Sequence, residues 1–272
     1  MKRYLIALDL DGTLLTNEHK ITPRTEKVLL KLKNQGHIIV IATGRPFHSS
    51  YCYYQQLQLT TPLINHNGAL MHTPGDLSQQ FFHETLDFSL AKKIIQDLEK
   101  NFDLVALSAE RLQEVYLQKT SPIFEQLYRF GTPKMIQGRI LDQLSQAPTS
   151  LLLHTKDYET DEINAYLEKK YATHIEHRCW GMPTTIIELT KRGINKANTL
   201  AKVAKMFQID RQQIIAFGDQ DNDLEMIQYA GMGVAMANAY SGLKAVANSI
   251  TLSNEDEGVA KFLEEAFYPI LQ

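Results

Sequence analysis

"LIALDLDGTLLT", residues 5–16, is the stretch that decides the fold of this chain. Four apolar residues run directly into Asp9 and Asp11, and Gly12 follows them. A short apolar run that stops at a turn-forming glycine predicts a buried strand over residues 4–8. Two carboxylates that lie close together in a partly buried position repel each other, and a divalent cation removes that conflict. The end of this first strand is therefore a candidate site for chemistry.

The composition is that of an ordinary soluble globular protein. The chain has 272 residues, of which 44% are hydrophobic and 22% charged, and its net charge is −3. No basic stripe indicates a nucleic-acid partner, no apolar run has membrane-spanning length, and the first residues do not resemble a signal peptide. Cys52 and Cys179 are too far apart to indicate a metal-binding pair or a disulfide framework. We therefore expect a cytoplasmic protein with reduced cysteines.

Short apolar runs alternate with amphipathic helical patterns along most of the chain. This alternation predicts an α/β fold with a doubly wound, mostly parallel, Rossmann-like core sheet. "TPRTEKVLLKLKNQG" (22–36) is typical of a helix, with Thr22 as its cap, Pro23 in its first turn and Gly36 at its end. "HIIVIATG" (37–44) is continuously apolar, which predicts a strand buried on both faces.

The pattern changes near residue 83, where shorter strands and helices follow one another. A helix is expected at "SLAKKIIQDLEKNF" and another at "TDEINAYLEKKY", with strands at "DLVALSA", "SLLLHT", "THIEHRC" and "TTIIELT". The sequence therefore predicts a catalytic core formed by 1–82 and 190–272, and an inserted α+β cap domain at 83–189. Because the linkers are short and not rich in Gly or Ser, we expect the cap to move as a hinged body.

Polar groups follow three of the predicted core strands. Asp9 and Asp11 follow the first strand, Thr43 and Gly44 the second, and Asp219 the later strand "IIAFGD". In an open parallel sheet, ligands bind beyond the carboxyl ends of the strands, so these groups are expected to converge. Carboxylate oxygens suit Mg²⁺, whereas hydroxyl, backbone amide and lysine groups suit a phosphate. Further groups of these two kinds are Asp223 and Lys196.

At these positions the chain resembles the haloacid dehalogenase superfamily, and in particular its Cof-type phosphatases with a type IIB α+β cap. "DLDGTLL" is similar to the first motif of that superfamily and "TGR" (43–45) to the second. Lys196 in "RGINKANTL" is similar to the third motif, and "GDQDND" (218–223) to the fourth. "NHNGA", which contains Asn67, also resembles the Cof-type subfamily, and the cap matches in position rather than in motif.

The resemblance implies a Mg²⁺-dependent phosphatase of small phosphorylated metabolites. Asp9 would be the nucleophile that forms an aspartyl-phosphate, Asp11 the acid and base, and Lys196 the third catalytic residue. The implied ligands of Mg²⁺ are Asp9, the backbone carbonyl of Asp11, and Asp219. The implied phosphate-binding groups are the Leu10 amide, Thr43, Gly44, Lys196 and Asn222. The implied supporting residues are Thr13, which would orient Asp11, Asp223 beside the metal, and Asn67.

Two other functions remain open at this point. A phosphomutase or phosphotransferase would share the aspartyl-phosphate but pass the group to a sugar, and a catalytically silent regulator would only bind a metabolite. Sugar phosphates, a flavin mononucleotide or its precursor, pyridoxal phosphate and nucleotides are all candidate substrates. A monomer or weak homodimer is expected, and no nucleic acid or membrane partner.

Several residues also have simpler structural interpretations. Asn67 is as consistent with satisfying a strand end as with lining the site. Arg45 is interpreted as an ordinary ion-pair partner and is left out of the catalytic set. In "HRCWG" (177–181), His177, Arg178 and Trp180 are interpreted first as core packing or a hairpin turn, and second as a cap loop that contacts the substrate.

Overall fold

The computed structural model describes residues 2–75, 81–129, 131–180 and 185–268. The strands are β1 (Leu5–Leu8), β2 (Ile38–Ile41), β3 (Leu63–Asn65), β4 (Leu70–His72), β5 (Phe82–His83), β6 (Ala106–Arg111), β7 (Glu114–Lys119), β8 (Lys134–Gln137), β9 (Ser150–His154), β10 (Ile175–Cys179), β11 (Ile186–Lys191), β12 (Ile214–Gly218), β13 (Met232–Ala235) and β14 (Ser249–Ile250). The helices are α1 (Pro23–Asn34), α2 (Phe47–Gln56), α3 (Phe88–Asn101), α4 (Pro122–Leu127), α5 (Ile140–Gln143), α6 (Thr160–Tyr171), α7 (Lys196–Met206), α8 (Leu224–Tyr229), α9 (Ser241–Val246) and α10 (Gly258–Ala266).

The chain divides into two compact units. The core unit comprises Met1–Arg45, Ser50–Phe82 and Asn195–Gln272, and the inserted unit comprises Pro46–Ser49 and His83–Ile194. The sequence placed the return to the core at residue 190, but β11 continues to Lys191 within the sheet of the inserted unit. That boundary therefore lies later than predicted, because a strand cannot leave its sheet before its last paired residue.

The core unit contains a parallel sheet with the strand order β14-β13-β12-β1-β2. The strand β1 lies between β12 and β2, with Leu8 paired to Phe217 of β12 on one side and to Ile41 of β2 on the other. All pairings of this sheet are parallel, so the carboxyl ends of β1, β2 and β12 lie at one edge. The predicted doubly wound α/β core is confirmed.

Both faces of this sheet are covered by helices, which explains why its strands are continuously apolar. On one face, Leu5 and Ala7 belong to a buried cluster that includes Leu200 of α7 and Met226 of α8. On the other face, the ring of Phe217 meets that of Phe262 on α10 edge to face, with centroids 5.4 Å apart. The alternation of side chains along each strand supplies both packed layers.

The helix α1 begins and ends as its sequence predicts. The Thr22 hydroxyl oxygen accepts a hydrogen bond from the Thr25 backbone N–H at 3.3 Å, and Pro23 occupies the first helical position. Gly36 follows the helix with a φ of +91°, a left-handed conformation that costs glycine little. These local signals determine the helix because they depend on neighbouring residues only.

The inserted unit is an α+β structure with a six-stranded sheet of order β10-β11-β9-β6-β7-β8. Its pairings are antiparallel except for β7 with β8. One face packs on α3 and α6 through a cluster that includes Leu107, Leu153, Ile94 and Leu167. The strands β7 and β8 were not predicted from the sequence. For β8 the reason is that this edge strand is short and largely exposed, and its sequence KMIQ does not alternate between apolar and polar residues.

None of the helices in the described part of the chain combines the length and the apolar composition needed to cross a membrane.

Candidate active site

Three aspartates meet at the carboxyl edge of the core sheet. Asp9 follows β1 and Asp219 follows β12, which are neighbouring strands, while Asp223 comes from the short 3₁₀ turn Asp221–Asp223. One carboxylate oxygen of each lies within 4.8 Å of the others, and all three side chains are buried. The parallel register explains the meeting, since it aligns the ends of strands that are far apart in sequence.

Lys196 lies between two of these carboxylates. Its Nζ donates hydrogen bonds to Asp9 Oδ1 at 2.6 Å and to Asp223 Oδ1 at 2.7 Å, and the side chain is 0% exposed. It is the first residue of α7, whose capping residue Asn195 accepts a hydrogen bond from the Asn198 N–H at 2.8 Å. Although burial alone would lower the pKa of Lys196, the two carboxylates outweigh it and raise that pKa. A buried, permanently charged ammonium is the result.

Burial raises the pKa values of Asp9 and Asp219. Burial raises the pKa of Asp9 well above its ordinary value, the charges of Asp223 and Asp219 add to this, and Lys196 opposes it. Burial and the charge of Asp223 raise the pKa of Asp219 to about 7. One ammonium does not neutralise three buried carboxylates, so the site favours a further positive charge.

Thr13 does not have the contact that the sequence predicted. It was expected to orient Asp11, but its hydroxyl donates to Asp219 Oδ1 at 2.9 Å. Gln220 Nε2 donates to the other oxygen of Asp219 at 3.2 Å. The correction follows from the turn after β1, which places position 13 against β12 and directs position 11 away from it.

Asp223 is held from two sides. Its Oδ2 accepts hydrogen bonds from the backbone N–H groups of Asp219 at 2.9 Å and of Gln220 at 3.1 Å, while its Oδ1 accepts from Lys196. This side chain therefore links the end of β12 to the start of α7. The expected role beside a metal stays a prediction, and the observed contacts show that Asp223 also orients Lys196.

The residues expected to bind phosphate lie beside this cluster. Thr43 is buried after β2, and its Oγ1 accepts from the Arg45 backbone N–H at 3.1 Å. The Asn222 amide donates to Asn67 Oδ1 at 2.9 Å, and a Cβ placed on Gly44 would lie 3.1 Å from that same oxygen. Asn67 adopts a left-handed φ of 54°. Leu10 is fully buried in the turn that follows β1.

Asp11 contacts Arg45 and His19. From the sequence, Arg45 is interpreted as an ion-pair partner, as observed, but Asp11 is not identified as the other member of the pair. Arg45 Nε donates to its Oδ2 at 2.7 Å, and a second guanidinium nitrogen donates to Oδ1. His19 Nδ1 lies 3.5 Å from the same Oδ1. Burial would raise the pKa of Asp11, but the hydrogen bond and charge of Arg45 outweigh it and lower that pKa. The signal available in the sequence was the position of Arg45, directly after the predicted phosphate-binding pair 43–44.

This geometry can be compared with known proteins. The model of the haloacid dehalogenase-like hydrolase family matches residues 6–263. The chain belongs to this family. The resemblance inferred from the motifs is therefore confirmed, as is the prediction of a phosphoric monoester hydrolase.

Relatives of this hydrolase match it over nearly its whole length. It is 41% identical over 266 residues to a 5-amino-6-(5-phospho-D-ribitylamino)uracil phosphatase, YitU of Bacillus subtilis, with 98% of both chains covered. It is 26% identical to a pyridoxal phosphate phosphatase, YbhA of Escherichia coli, with 97% of this chain and 98% of the relative covered. A haloacid dehalogenase-like hydrolase from Bacteroides thetaiotaomicron has a similar structure, with a TM-score of 0.87, 26% identity, and 98% of this chain and 100% of the other covered.

The residues of this phosphatase fit a divalent cation. The carboxylates of Asp9 and Asp219 are the hard oxygen donors that such a cation binds. Gly12 keeps the space beside Asp219 open, because a Cβ at position 12 would lie 2.3 Å from Asp219 Oδ2. Its φ of +72° turns the chain directly after Asp11. A cation between these groups would relieve the repulsion that burial imposes on them.

The "HRCWG" stretch lies in the inserted unit, and Gly181 is outside the described residues. His177 and Arg178 belong to β10, where Arg178 is paired with Glu188 of β11. The ring of His177 lies 3.1 Å from a Glu168 oxygen. Trp180 is 42% exposed, and its indole N–H donates to Glu188 at 3.4 Å. Of the two alternatives in the first interpretation, core packing does not describe a tryptophan with this exposure, whereas a position at the end of the antiparallel pair β10–β11 agrees with the second, a hairpin.

Proposed function

We propose that this hydrolase removes phosphate from small phosphorylated metabolites through an aspartyl-phosphate on Asp9, with Mg²⁺ as its cofactor. The observation that carries the proposal is the buried ammonium of Lys196 between Asp9 and Asp223, with Asp219 alongside. A buried carboxylate beside a fixed lysine, at the edge of a parallel sheet where ligands bind, supports the proposed contact with a phosphoryl group. Family membership supports the same reaction class.

The residues that would hold Mg²⁺ are Asp9, Asp219 and the backbone carbonyl of Asp11. When bound, the ion supplies positive charge that stabilises the phosphoryl oxygens and keeps the nearby carboxylates ionised. The sites for the phosphoryl oxygens would be completed by Lys196 Nζ and by donors from the two loops beyond β1 and β2. These donors are the Leu10 amide, Thr43, Gly44 and Asn222, with Asn67 orienting Asn222 through their hydrogen bond.

In the first half of the reaction, a carboxylate oxygen of Asp9 attacks phosphorus. The bond between phosphorus and the leaving oxygen breaks, and Asp11 transfers a proton to that oxygen. Asp11 must take up this proton beforehand, because the Arg45 pair favours its ionised form. Lys196 keeps Asp9 aligned, because its Nζ is fixed by Asp223 on the opposite side. The alcohol leaves and the phosphoryl group remains on Asp9.

In the second half, water attacks the phosphorus of the aspartyl-phosphate. Asp11 takes a proton from that water, the bond between phosphorus and the Asp9 oxygen breaks, and inorganic phosphate leaves. Transfers of this type depend mainly on positioning and on neutralising charge, both of which the buried cluster supplies. The inserted unit is proposed to act as the cap that selects the leaving group.

One substrate is favoured for the first assays. A relative at 41% identity and a second at 29%, YitU and YcsE of Bacillus subtilis, are both named 5-amino-6-(5-phospho-D-ribitylamino)uracil phosphatases. We propose that this chain accepts the same compound, which carries its phosphate on an alkyl chain. Because an alkoxide is a poor leaving group, its departure requires proton transfer from Asp11.

The test is release of inorganic phosphate with and without Mg²⁺ from this compound, from pyridoxal phosphate and from a sugar phosphate. We expect release by the wild type and a loss of at least ~10³-fold for Asp9→Asn, as for other removed nucleophiles. Asp221→Asn is the matched control, because Asp221 is an exposed aspartate of the same segment. It should retain full activity.

The competing functions give different results in the same assay. Isomerised sugar phosphate without free phosphate would indicate a phosphomutase. Wild-type protein that is folded, yet no more active than Asp9→Asn on every ester, would indicate a silent binding protein. Either result contradicts the proposal.

We also propose a cytoplasmic monomer or weak homodimer. Cys52 and Cys179 are free and exposed, which is compatible with a reducing compartment. Sedimentation at micromolar concentration and fractionation of cells test these two points separately.

A further inference from the structure

Both oxygens of the Asp11 carboxylate are held by one guanidinium. Arg45 Nε donates to Oδ2 at 2.7 Å, and its terminal nitrogen donates to Oδ1. Two parallel bonds of this kind fix the plane of a carboxylate as well as its distance. The Asp11 side chain is 50% exposed, so packing against its neighbours is not enough to prevent it from rotating. Its orientation therefore depends on Arg45.

Arg45 is itself held by neighbours in the core unit. Its guanidinium carbon lies 5.5 Å from the centre of the Tyr53 ring, and its side chain is only 16% exposed. The Tyr53 hydroxyl donates to the backbone carbonyl of His19 at 3.0 Å. His19 Nδ1 lies 3.2 Å from the terminal nitrogen of Arg45, on a backbone with a φ of 57°. The contacts form a closed chain of residues around one carboxylate.

We propose that Arg45 is a positioning residue that orients Asp11 for the hydrolysis of the aspartyl-phosphate, with Tyr53 and His19 holding Arg45. The inference rests on the proposed function, since it assigns a role within the same two-step reaction. In the step concerned, water attacks phosphorus, its proton passes to an Asp11 oxygen, and the bond from phosphorus to Asp9 breaks. A carboxylate that accepts two N–H bonds still has other lone pairs that can accept this proton, and the two bonds fix their direction.

In the first half of the reaction, Asp11 acts as an acid and not as a base. An activated aryl phosphate such as p-nitrophenyl phosphate needs no proton on its leaving oxygen, so its aspartyl-phosphate forms without help from Asp11. Loss of Arg45 would therefore slow only the second half for this substrate. A misdirected base can slow its step by about 100-fold.

The experiment is rapid-mixing kinetics on Arg45→Met with p-nitrophenyl phosphate and Mg²⁺. We expect a burst of about one nitrophenolate per active site, a kcat about 100-fold lower, and an unchanged kcat/KM. Asp11→Asn should give the same burst, and the double variant should be no slower than Asp11→Asn alone, because both changes disable one group.

Arg24 provides the matched control. Its guanidinium makes the same two-bond pair with Glu264 on the surface of the same unit, through Nε at 3.2 Å and a terminal nitrogen at 2.6 Å. Arg24→Met should show neither a burst nor a lower kcat. If Arg45→Met is poorly folded by circular dichroism, Arg45→Lys replaces it, since lysine keeps the charge but cannot form two parallel bonds.

Three outcomes would overturn the inference. A raised KM with unchanged kcat would make Arg45 a substrate-binding residue. Equal losses in kcat and kcat/KM without a burst would show that Arg45 acts in forming the aspartyl-phosphate. Additive losses in the double variant would show that Arg45 does not act through Asp11. Failure of the proposed function looks different, because Asp9→Asn would then retain turnover.

Discussion

At the scale of single residues, the site depends on a lysine that has no contact with solvent. Lys196 is 0% exposed and its two partners, Asp9 and Asp223, are 5% and 0% exposed. Removing one member of such a buried set leaves an uncompensated charge, which is strongly destabilising. The same side chain therefore contributes both to folding and to the proposed chemistry.

Lys196→Met keeps the length of the side chain and removes its charge. We expect a loss of at least ~10²-fold in kcat/KM and a decrease of about 3–5 kcal/mol in the free energy of unfolding without metal. Lys205→Met is the control, because Lys205 is an exposed lysine of the same helix. Urea denaturation and phosphate release measure the two effects. A stable and fully active Lys196→Met would remove this residue from the site.

If Asp219 binds the proposed Mg²⁺, the affinity for this ion should depend on pH. Its pKa is raised to about 7, so below that pH a proton must leave before a cation binds. The apparent affinity for Mg²⁺ should fall as the pH decreases below about 7, by about tenfold for each pH unit from the Asp219 proton alone. The concentration of Mg²⁺ at half-maximal activity, measured at pH 8 and pH 6, checks this. Equal values at the two pH values would contradict the assignment.

At the scale of elements, the turn after β1 brings the aspartates together. Gly12 lies in this turn with a positive φ, and its α-carbon faces Asp219 closely. Any side chain here meets two obstacles, the left-handed backbone and the carboxylate. The turn also explains why residues only two positions apart, Asp9 and Asp11, have different partners: Lys196 for one and Arg45 for the other.

Gly12→Ala and Gly36→Ala form a matched pair for this element. Both glycines have a positive φ, but a Cβ at Gly36 would meet nothing within 4 Å, whereas one at Gly12 would meet Asp219. Each variant should lose about 1–2 kcal/mol of stability from backbone strain. Only Gly12→Ala should also lose Mg²⁺ affinity, measured by calorimetry. Normal Mg²⁺ binding in Gly12→Ala would show that the close approach is unimportant.

At the scale of the whole molecule, the two units carry buried charge in different ways. In the core unit, the ammonium of Lys196 forms ion pairs with two of the buried aspartates. In the inserted unit, the buried carboxyl group of Glu110 is hydrogen-bonded to a hydroxyl group. Its Oε1 accepts from the Tyr128 hydroxyl at 2.7 Å, and Tyr128 also contacts Ser108 at 2.6 Å. Burial is the main cause that raises the pKa of Glu110 to about 7.

This carboxyl makes the stability of the inserted unit dependent on pH. Because the folded-state pKa is raised, the folded form retains a proton between about pH 4.5 and 7 that the unfolded form loses. Stability should therefore be greatest below this window, decrease through it and stay constant above pH 7. At pH 8, Glu110→Gln should raise the melting temperature and increase the free energy of unfolding by at most ~3 kcal/mol. At pH 4.5 it should have little effect on either quantity.

Thermal melts of the full chain at these two pH values measure the effect. Glu125→Gln is the control, since Glu125 is an exposed glutamate of the same unit. If Glu110→Gln is no more stable than the wild type at pH 8, the ionised carboxylate of Glu110 does not destabilise the folded protein.

The sequence by itself determined the order of elements in the core and the strand ends that carry the polar residues. Helix α1 and strands β1, β2 and β12 follow from apolar periodicity, a capping threonine and a terminal glycine, all of which act between neighbouring residues. The edge strand β8 could not be predicted from the sequence, because a short, exposed strand without alternating apolar residues is defined only by the strand it pairs with.

Only the tertiary structure decided which side chains meet. Thr13 contacts Asp219 rather than Asp11, and Arg45 is the partner of Asp11, although residues 13 and 45 lie 206 and 34 positions from those partners. Such pairings are set by the register of strands and by the direction in which a turn leaves the sheet. Local propensity carries no information about either, so contacts across the sheet edge had to be observed.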